Sequence, residues 1–200
     1  MSLKTFATEA LSNMTATASL VPSSRFLAHA MLRPLRLRQA KVVVEFGPGT
    51  GVITEALLQK MAPDARLLAF EINPRFSEYL REQISDPRFL LVNDCAETLG
   101  QTLREQGLDR VDAVVSSLGL TIMPENVRTD IFDTLMPLLA DDAALTQFQY
   151  LHGFVLNSQV DIEKLRRYST ARFLQRYFGS VTQRTVWRNI PPAMVFTCRR

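Results

Sequence analysis

The chain has 200 residues, 46 % of them hydrophobic and 22 % charged, which suits a folded globular domain and excludes a disordered or collagen-like chain. Its net charge of +3 is compatible with an anionic surface but does not demand one. Two cysteines, Cys95 and Cys198, stand too far apart for a metal motif or a disulfide framework, so a reducing compartment and no metal are expected. The first residues lack the apolar core of a signal peptide. No run of about 18 apolar residues is present to span a membrane, so any membrane contact is peripheral.

Leu3, Phe6, Ala7, Ala10, Leu11 and Met14 recur at helical spacing and predict an amphipathic helix. A second helix is expected from Ser23 or Ser24, both good N-caps, with Phe26, Leu27, Ala30 and Met31 on one face and an end at Pro34. A basic run with interleaved leucines, Arg33 to Lys41, follows. Residues 1–40 are therefore read as N-terminal amphipathic helices, a lid or membrane contact, and residues 41–200 as the main domain.

From Lys41 the pattern changes to strands alternating with helices. Strands are expected at Lys41–Phe46, Arg66–Glu71, Arg88–Val92, Val111–Ser116, Ala143–Tyr150, Ser180–Trp187 and Ala193–Cys198. Helices are expected at Val52–Met61, Pro74–Ile84, Glu97–Gln106, Pro124–Leu139 and Val160–Phe178. The β-branched run Val42-Val43-Val44 reads as a strand buried on both faces. The alternation implies an α/β fold with a mostly parallel sheet.

The informative stretch is the strand–turn–helix junction at Glu45-Phe-Gly-Pro-Gly-Thr-Gly51. Glycines at 47, 49 and 51 let the backbone approach a ligand closely. The spacing is G-x-G-x-G rather than the G-x-G-x-x-G of dinucleotide enzymes. Glu45, two residues before the first glycine, would repel a pyrophosphate and suits a cationic or amine-bearing ligand. Glu71, followed by Ile72, ends the next strand, where a carboxylate can accept hydrogen bonds from both hydroxyls of a ribose. Asp94 follows the third strand and can take an adenine amine, with the Cys95 backbone at a ring nitrogen. It can equally cap the helix that follows. All three acidic residues fall at carboxyl ends of consecutive strands, where open α/β sheets bind ligands.

These residues, in EFGPGTG, FEINPRF and VNDCAET, resemble the class I methyltransferases. The stretch is similar to the bacterial phospholipid N-methyltransferases and to the ribosomal RNA adenine dimethyltransferases. The likeness to the phospholipid enzymes extends to VPSSRFLAHAM (21–31), to Gln147-Phe-Gln-Tyr150 and to NIPPAMVF (189–196). It implies a Rossmann-like, seven-stranded sheet with the last strand antiparallel. It also implies S-adenosylmethionine as methyl donor, S-adenosylhomocysteine as product, and Glu45, Gly47, Gly49, Gly51, Glu71, Ile72, Asp94, Cys95 and Ser116 as cofactor-binding residues. The implied acceptor is phosphatidylethanolamine or its methylated derivatives, on the road to phosphatidylcholine.

The loop after the fourth strand, Ser116-Ser-Leu-Gly-Leu120, has neither the aromatic residue nor the Asn-Pro expected of an adenine-methylating enzyme. It departs at Ser117 and Gly119 from the Ser-Gly-Leu-Pro-Leu pattern common in the phospholipid enzymes. No nucleic acid partner is expected; the expected setting is the cytoplasmic side of an anionic membrane. Candidate acceptor-site residues are Arg25 for a lipid phosphate, Ser117 and Leu118 in the loop, and Tyr150 and Trp187 for cation–π contact with a methylated amine. Tyr150 and His29 are the candidates for a base. The oligomeric state is left open, as are two other readings: an RNA or small-amine N-methyltransferase, and a non-catalytic S-adenosylmethionine-binding protein.

Overall fold

The computed structural model describes residues 24–151 and 169–200. The helix expected over Leu3–Met14 and the first part of that expected over Val160–Phe178 lie outside the described residues. In chain order the elements are α1 (Arg25–Leu32), β1 (Val42–Phe46), α2 (Val52–Lys60), β2 (Arg66–Phe70), α3 (Pro74–Gln83), β3 (Phe89–Val92), α4 (Leu99–Glu105), β4 (Val111–Ser116), α5 (Glu125–Leu135), β5 (Leu139–Tyr150), α6 (Thr170–Leu174), β6 (Ser180–Val186) and β7 (Ala193–Arg199). These strands form one sheet in the order β3-β2-β1-β4-β5-β7-β6. β1 to β5 pair in parallel, and β7 runs antiparallel between β5 and β6. The Rossmann-like architecture and its antiparallel last strand are as expected.

Strand order reverses between β1 and β4, so the connections on either side diverge and leave a crevice at the carboxyl ends of these strands. Alternation along β1 sends Val42, Val44 and Phe46 into the core beneath α4, α5 and α6. Val43 goes into the core beneath α1 and α2, and Glu45 shares its face, hydrogen-bonded to Thr54 of α2. With helices on both faces, all five residues of β1 are buried.

Ser24 caps α1, its Oγ accepting from Leu27 N–H at 3.3 Å. The buried face is Leu27, Ala28, Met31 and Leu32, rotated from the expected one, with Phe26 and Ala30 only partly covered. These residues and Leu35, Leu37 and Ala40 share one core with Val43, Leu57 and Val115. The expected division at residue 40 is therefore not a break in packing: α1 is part of the domain body.

Other boundaries shift as well. The helix expected to reach Leu139 stops at Leu135, and Pro137 lies in a short 3-10 turn. The expected third helix is a 3-10 turn, Ala96–Thr98, running into α4. β5 starts at Leu139 rather than Ala143, because Leu139 pairs with Val111 before a register irregularity that carries Asp141 and Asp142 outward.

Met31 is fully buried while His29 on the same helix faces solvent. Replacing Met31 with Ala is expected to lower stability by about 2–5 kcal/mol, against under about 0.5 kcal/mol for His29→Ala, both read from urea unfolding.

Candidate active site

A cleft opens at the reversal point of the sheet. Its walls are Phe46 at the end of β1 with Gly47 after it, Phe70 at the end of β2 with Glu71 and Ile72 after it, Asp94, Cys95 and Ala96 after β3, Leu118 and Met123 after β4, and Ile131 of α5. Five residues singled out as cofactor ligands, Gly47, Glu71, Ile72, Asp94 and Cys95, thus line one cavity, as does Leu118. Apolar side chains make its walls, and the carboxylates of Glu71 and Asp94 stand among them.

The turn after β1 needs glycine. Gly51 has φ +84°, and a Cβ there would lie 2.8 Å from Leu80 Cδ2 of α3. Gly47 has φ +73° and packs its Cα face against Ser117 of the next loop. Gly49 N–H donates to Glu71 Oε2 at 3.0 Å, and Asn73 N–H donates to Glu71 Oε1 at 2.9 Å. The Glu71 carbonyl accepts from Asn93 Nδ2 at 2.7 Å. One residue therefore ties the turns after β1, β2 and β3 together. Burial raises the Glu71 pKa, opposed by these backbone hydrogen bonds.

Glu45 lies one layer deeper. It is fully buried, Thr54 Oγ1 donates to its Oε2 at 2.8 Å, and its Oε1 has no hydrogen-bond partner. Burial pushes its pKa up to about 8, with the neighbouring Glu71 charge adding to the rise. A buried carboxyl with an unsatisfied oxygen is poised for a cationic group, whose arrival would favour the ionised form. This arrangement fits the amino-acid end of S-adenosylmethionine. Asp94 Oδ1 is turned onto the Cys95 N–H at 2.8 Å, while burial raises the Cys95 thiol pKa.

The loop after β4 is held by a residue the sequence reading did not assign a role. Gln147, fully buried on β5, accepts from Ser116 Oγ at 2.5 Å. Its Nε2 donates to Leu118 O at 2.8 Å and to Phe148 O at 2.5 Å. Ser116 is thereby a buried support of this loop and is not among the residues that line the cleft. The signal was the polar Gln-Phe-Gln-Tyr run at the end of an otherwise apolar strand, since a glutamine buried there requires partners on both ends of its amide.

The remaining candidates lie elsewhere. His29 is exposed on α1, which packs against the face of the sheet opposite α5. That placement removes it from the cleft. Tyr150 ends β5 on the α1 face, edge-to-face with Phe148 at 5.3 Å. Burial raises its phenol above its usual range. Arg25 stacks on Phe26, its guanidinium 5.1 Å from the ring centroid. Trp187 is 72 % exposed in the β6–β7 turn, not in the cleft as a cation–π partner would require.

Two consequences are measurable. Gly51→Ala is expected to lower stability by about 1–3 kcal/mol, and more than Gly49→Ala, since a Cβ at Gly49 meets nothing within 4 Å; thermal unfolding of both variants ranks them. In the cofactor-free protein Glu45 is held neutral, so its contribution is fully present below the unfolded value of 4.5 and is lost as pH rises toward about 8. Stability should fall across that window by on the order of 1 kcal/mol per pH unit, and Glu45→Gln should flatten the slope in denaturant titrations.

Comparison with known proteins agrees with this geometry. Residues 23–95 match the family model described as ribosomal RNA adenine dimethylase. The chain is 32 % identical over 186 residues to an ornithine lipid N-methyltransferase of Singulisphaera acidiphila, covering 92 % of this chain and 89 % of that protein. Its fold is similar to an O-methyltransferase from Bacillus cereus solved with S-adenosylhomocysteine, with a TM-score of 0.69 at 12 % identity, over 98 % of this chain and 90 % of that one. It is also similar to the precorrin-6y C5,15-methyltransferase of Geobacter metallireducens, with a TM-score of 0.67 at 17 % identity, over 92 % and 93 % of the two chains. The glycine turn, the carboxylates at consecutive strand ends and this similarity along nearly the whole chain agree: the protein belongs to the class I S-adenosylmethionine-dependent methyltransferases, in the same family as that ornithine lipid N-methyltransferase.

Proposed function

We propose that the protein methylates the amine of a membrane lipid headgroup. The observation that carries this reading is the reach of the similarity to the ornithine lipid enzyme, which runs over 92 % of this chain. The match to the RNA dimethylase model ends at residue 95, before the β4 loop that faces an acceptor. That loop offers Ser117 and Leu118, with no aromatic platform for a base. Ornithine and ethanolamine headgroups both present a primary amine. The first is favoured by the relative, the second by the resemblance of the glycine-turn and NIPPAMVF motifs to the phospholipid enzymes.

In this reading Glu71 holds the ribose hydroxyls, and Asp94 with the Cys95 N–H holds the adenine. Phe46, Phe70 and Ile72 form the walls, and Glu45 sets a negative potential beneath the cationic end. The cofactor supplies a methyl group on a sulfonium that departs as a neutral thioether. The chain aligns the acceptor nitrogen with that methyl and excludes water. The acceptor amine, with a free pKa of about 10, must reach the methyl unprotonated, and the apolar rim formed by Leu118 and Met123 favours that form. Among the described residues no helix is long and apolar enough to cross a membrane, and the proposed mode of contact is peripheral.

The test is methylation of vesicles with radiolabelled S-adenosylmethionine, one set containing ornithine lipid and another phosphatidylethanolamine, each with an anionic lipid. Label in either amine lipid is expected, and its distribution identifies the preferred headgroup and the number of methyl groups added. Cofactor binding by calorimetry with no label in either lipid would overturn the lipid assignment.

A further inference from the structure

The two ends of the sheet differ in character. At the amino ends of the strands the surface is ion-paired: Arg36 with Asp142, Lys41 with Asp64, Arg88 with Asp86, and Asp141 with both Arg110 and Arg200. The basic run expected to meet a membrane, Arg33 to Lys41, lies at this end, since Arg199 at the end of β7 donates to Pro34 O. A membrane bound there would face away from the cleft.

The carboxyl end, where the cleft opens, is different. Tyr150 at the end of β5 pairs with Ala193 at the start of β7, so the β6–β7 turn projects from the same edge as the loops after β1, β2, β3 and β4. The turn carries Trp187 at 72 % and Ile190 at 80 % exposure. Ile122, on the loop after β4, is 43 % exposed on the same edge. These are three of the four large hydrophobic residues exposed among the described residues, the other being Tyr79. The turn is held from inside: Asn189, 1 % exposed, donates through Nδ2 to Pro191 O at 2.7 Å, and its Oδ1 accepts from Ser24 N–H at 3.2 Å. Phe26, at the start of α1, sits beneath two exposed arginines, with Arg188 at 4.4 Å and Arg25 at 5.1 Å from its ring centroid. Neither arginine takes part in the ion pairs found among the described residues.

We propose that the β6–β7 turn is a membrane-docking prong: Trp187 and Ile190 enter the headgroup region of an anionic bilayer, Arg25 and Arg188 engage its phosphates, and the cleft is thereby turned toward the lipid surface. A tip that sets an exposed Trp and Ile beside two exposed arginines with no ion pair among the described residues matches the chemistry of a bilayer interface. This end is favoured over the other because Trp187, Ile190 and the two arginines stand together on the edge that carries the cleft, whereas Arg36 and Lys41 of the basic run are ion-paired. The proposal rests on the lipid reading above and adds to it the surface and the orientation.

Trp187 is the only tryptophan in the chain, so its fluorescence reports this turn alone. With the full chain, vesicles of phosphatidylglycerol and phosphatidylethanolamine are expected to shift its emission to the blue, and acyl-brominated lipids to quench it; vesicles of phosphatidylcholine alone should do neither. Ile190→Ser is expected to weaken vesicle binding about tenfold, as is the double variant Arg25→Gln, Arg188→Gln at low salt, in co-sedimentation assays. Calorimetric affinity for S-adenosylmethionine, unchanged by Ile190→Ser, shows that the fold is intact. Vesicle binding or lipid methylation without a change in Trp187 emission, or undiminished in these variants, overturns the prong and leaves the lipid reading standing. A blue shift with no methylated lipid supports the prong and overturns the lipid reading instead.

Discussion

The carboxylate of Glu71 holds the site together. It accepts from Gly49 on the β1 turn and from Asn73 at the start of α3, while its own carbonyl accepts from Asn93 after β3. Three loops that are separate in sequence share this one residue, which burial makes reluctant to ionise. Hydrogen bonds to backbone N–H groups offset that cost only when all the loops are in place. The cleft and the carboxylate therefore depend on each other: the turns define where Glu71 sits, and Glu71 sets the spacing of the turns.

Glu45 shows the same coupling one layer down. The pleat of β1 forces it onto the α2 face, where Thr54 meets one oxygen and leaves the other unsatisfied. A fold selected for stability alone would place an apolar residue there. Its place in the centre of the sheet, two residues before the glycine turn, suits the proposed cationic ligand. Burial, which pushes its pKa up to about 8, makes the neutral carboxyl the tolerable state there.

On the acceptor side, order comes from a different strand. Gln147 reaches from β5 to Ser116 and Leu118 and fixes the loop between β4 and α5. Because β5 also pairs with β7, the acceptor loop and the β6–β7 turn are linked through one rigid strand. The edge that carries the cleft also carries Ile122, Trp187 and Ile190, while the opposite edge is laced with ion pairs. The sheet thus gives the molecule a direction as well as a pocket.

Local patterns were sufficient for most of the elements and for the residues that meet in the cleft after β1, β2 and β3. The β-branched run before Gly47, the G-x-G-x-G spacing, and acidic residues at the ends of three consecutive strands are short-range features, set by backbone sterics and pleat, and all can be read without a fold. Two of the departures involve long-range partners: the start of β5 depends on Leu139 meeting Val111, and the buried face of α1 on the sheet beneath it.

What the sequence by itself determined is the convergence of the glycine turn, Glu71 and Asp94 at consecutive strand ends, because these residues lie within one contiguous stretch from Glu45 to Cys95. Only the tertiary structure decided the roles of the rest. Ser116 became a support once Gln147, 31 positions away, was seen to bind it. His29 and Trp187 left the cleft once the faces and edges of the sheet were assigned. The basic run at Arg33–Lys41 and the pair Arg25 and Arg188 look alike as charges in a sequence. Strand direction separates them, placing the first among carboxylates and the second beside an exposed apolar tip.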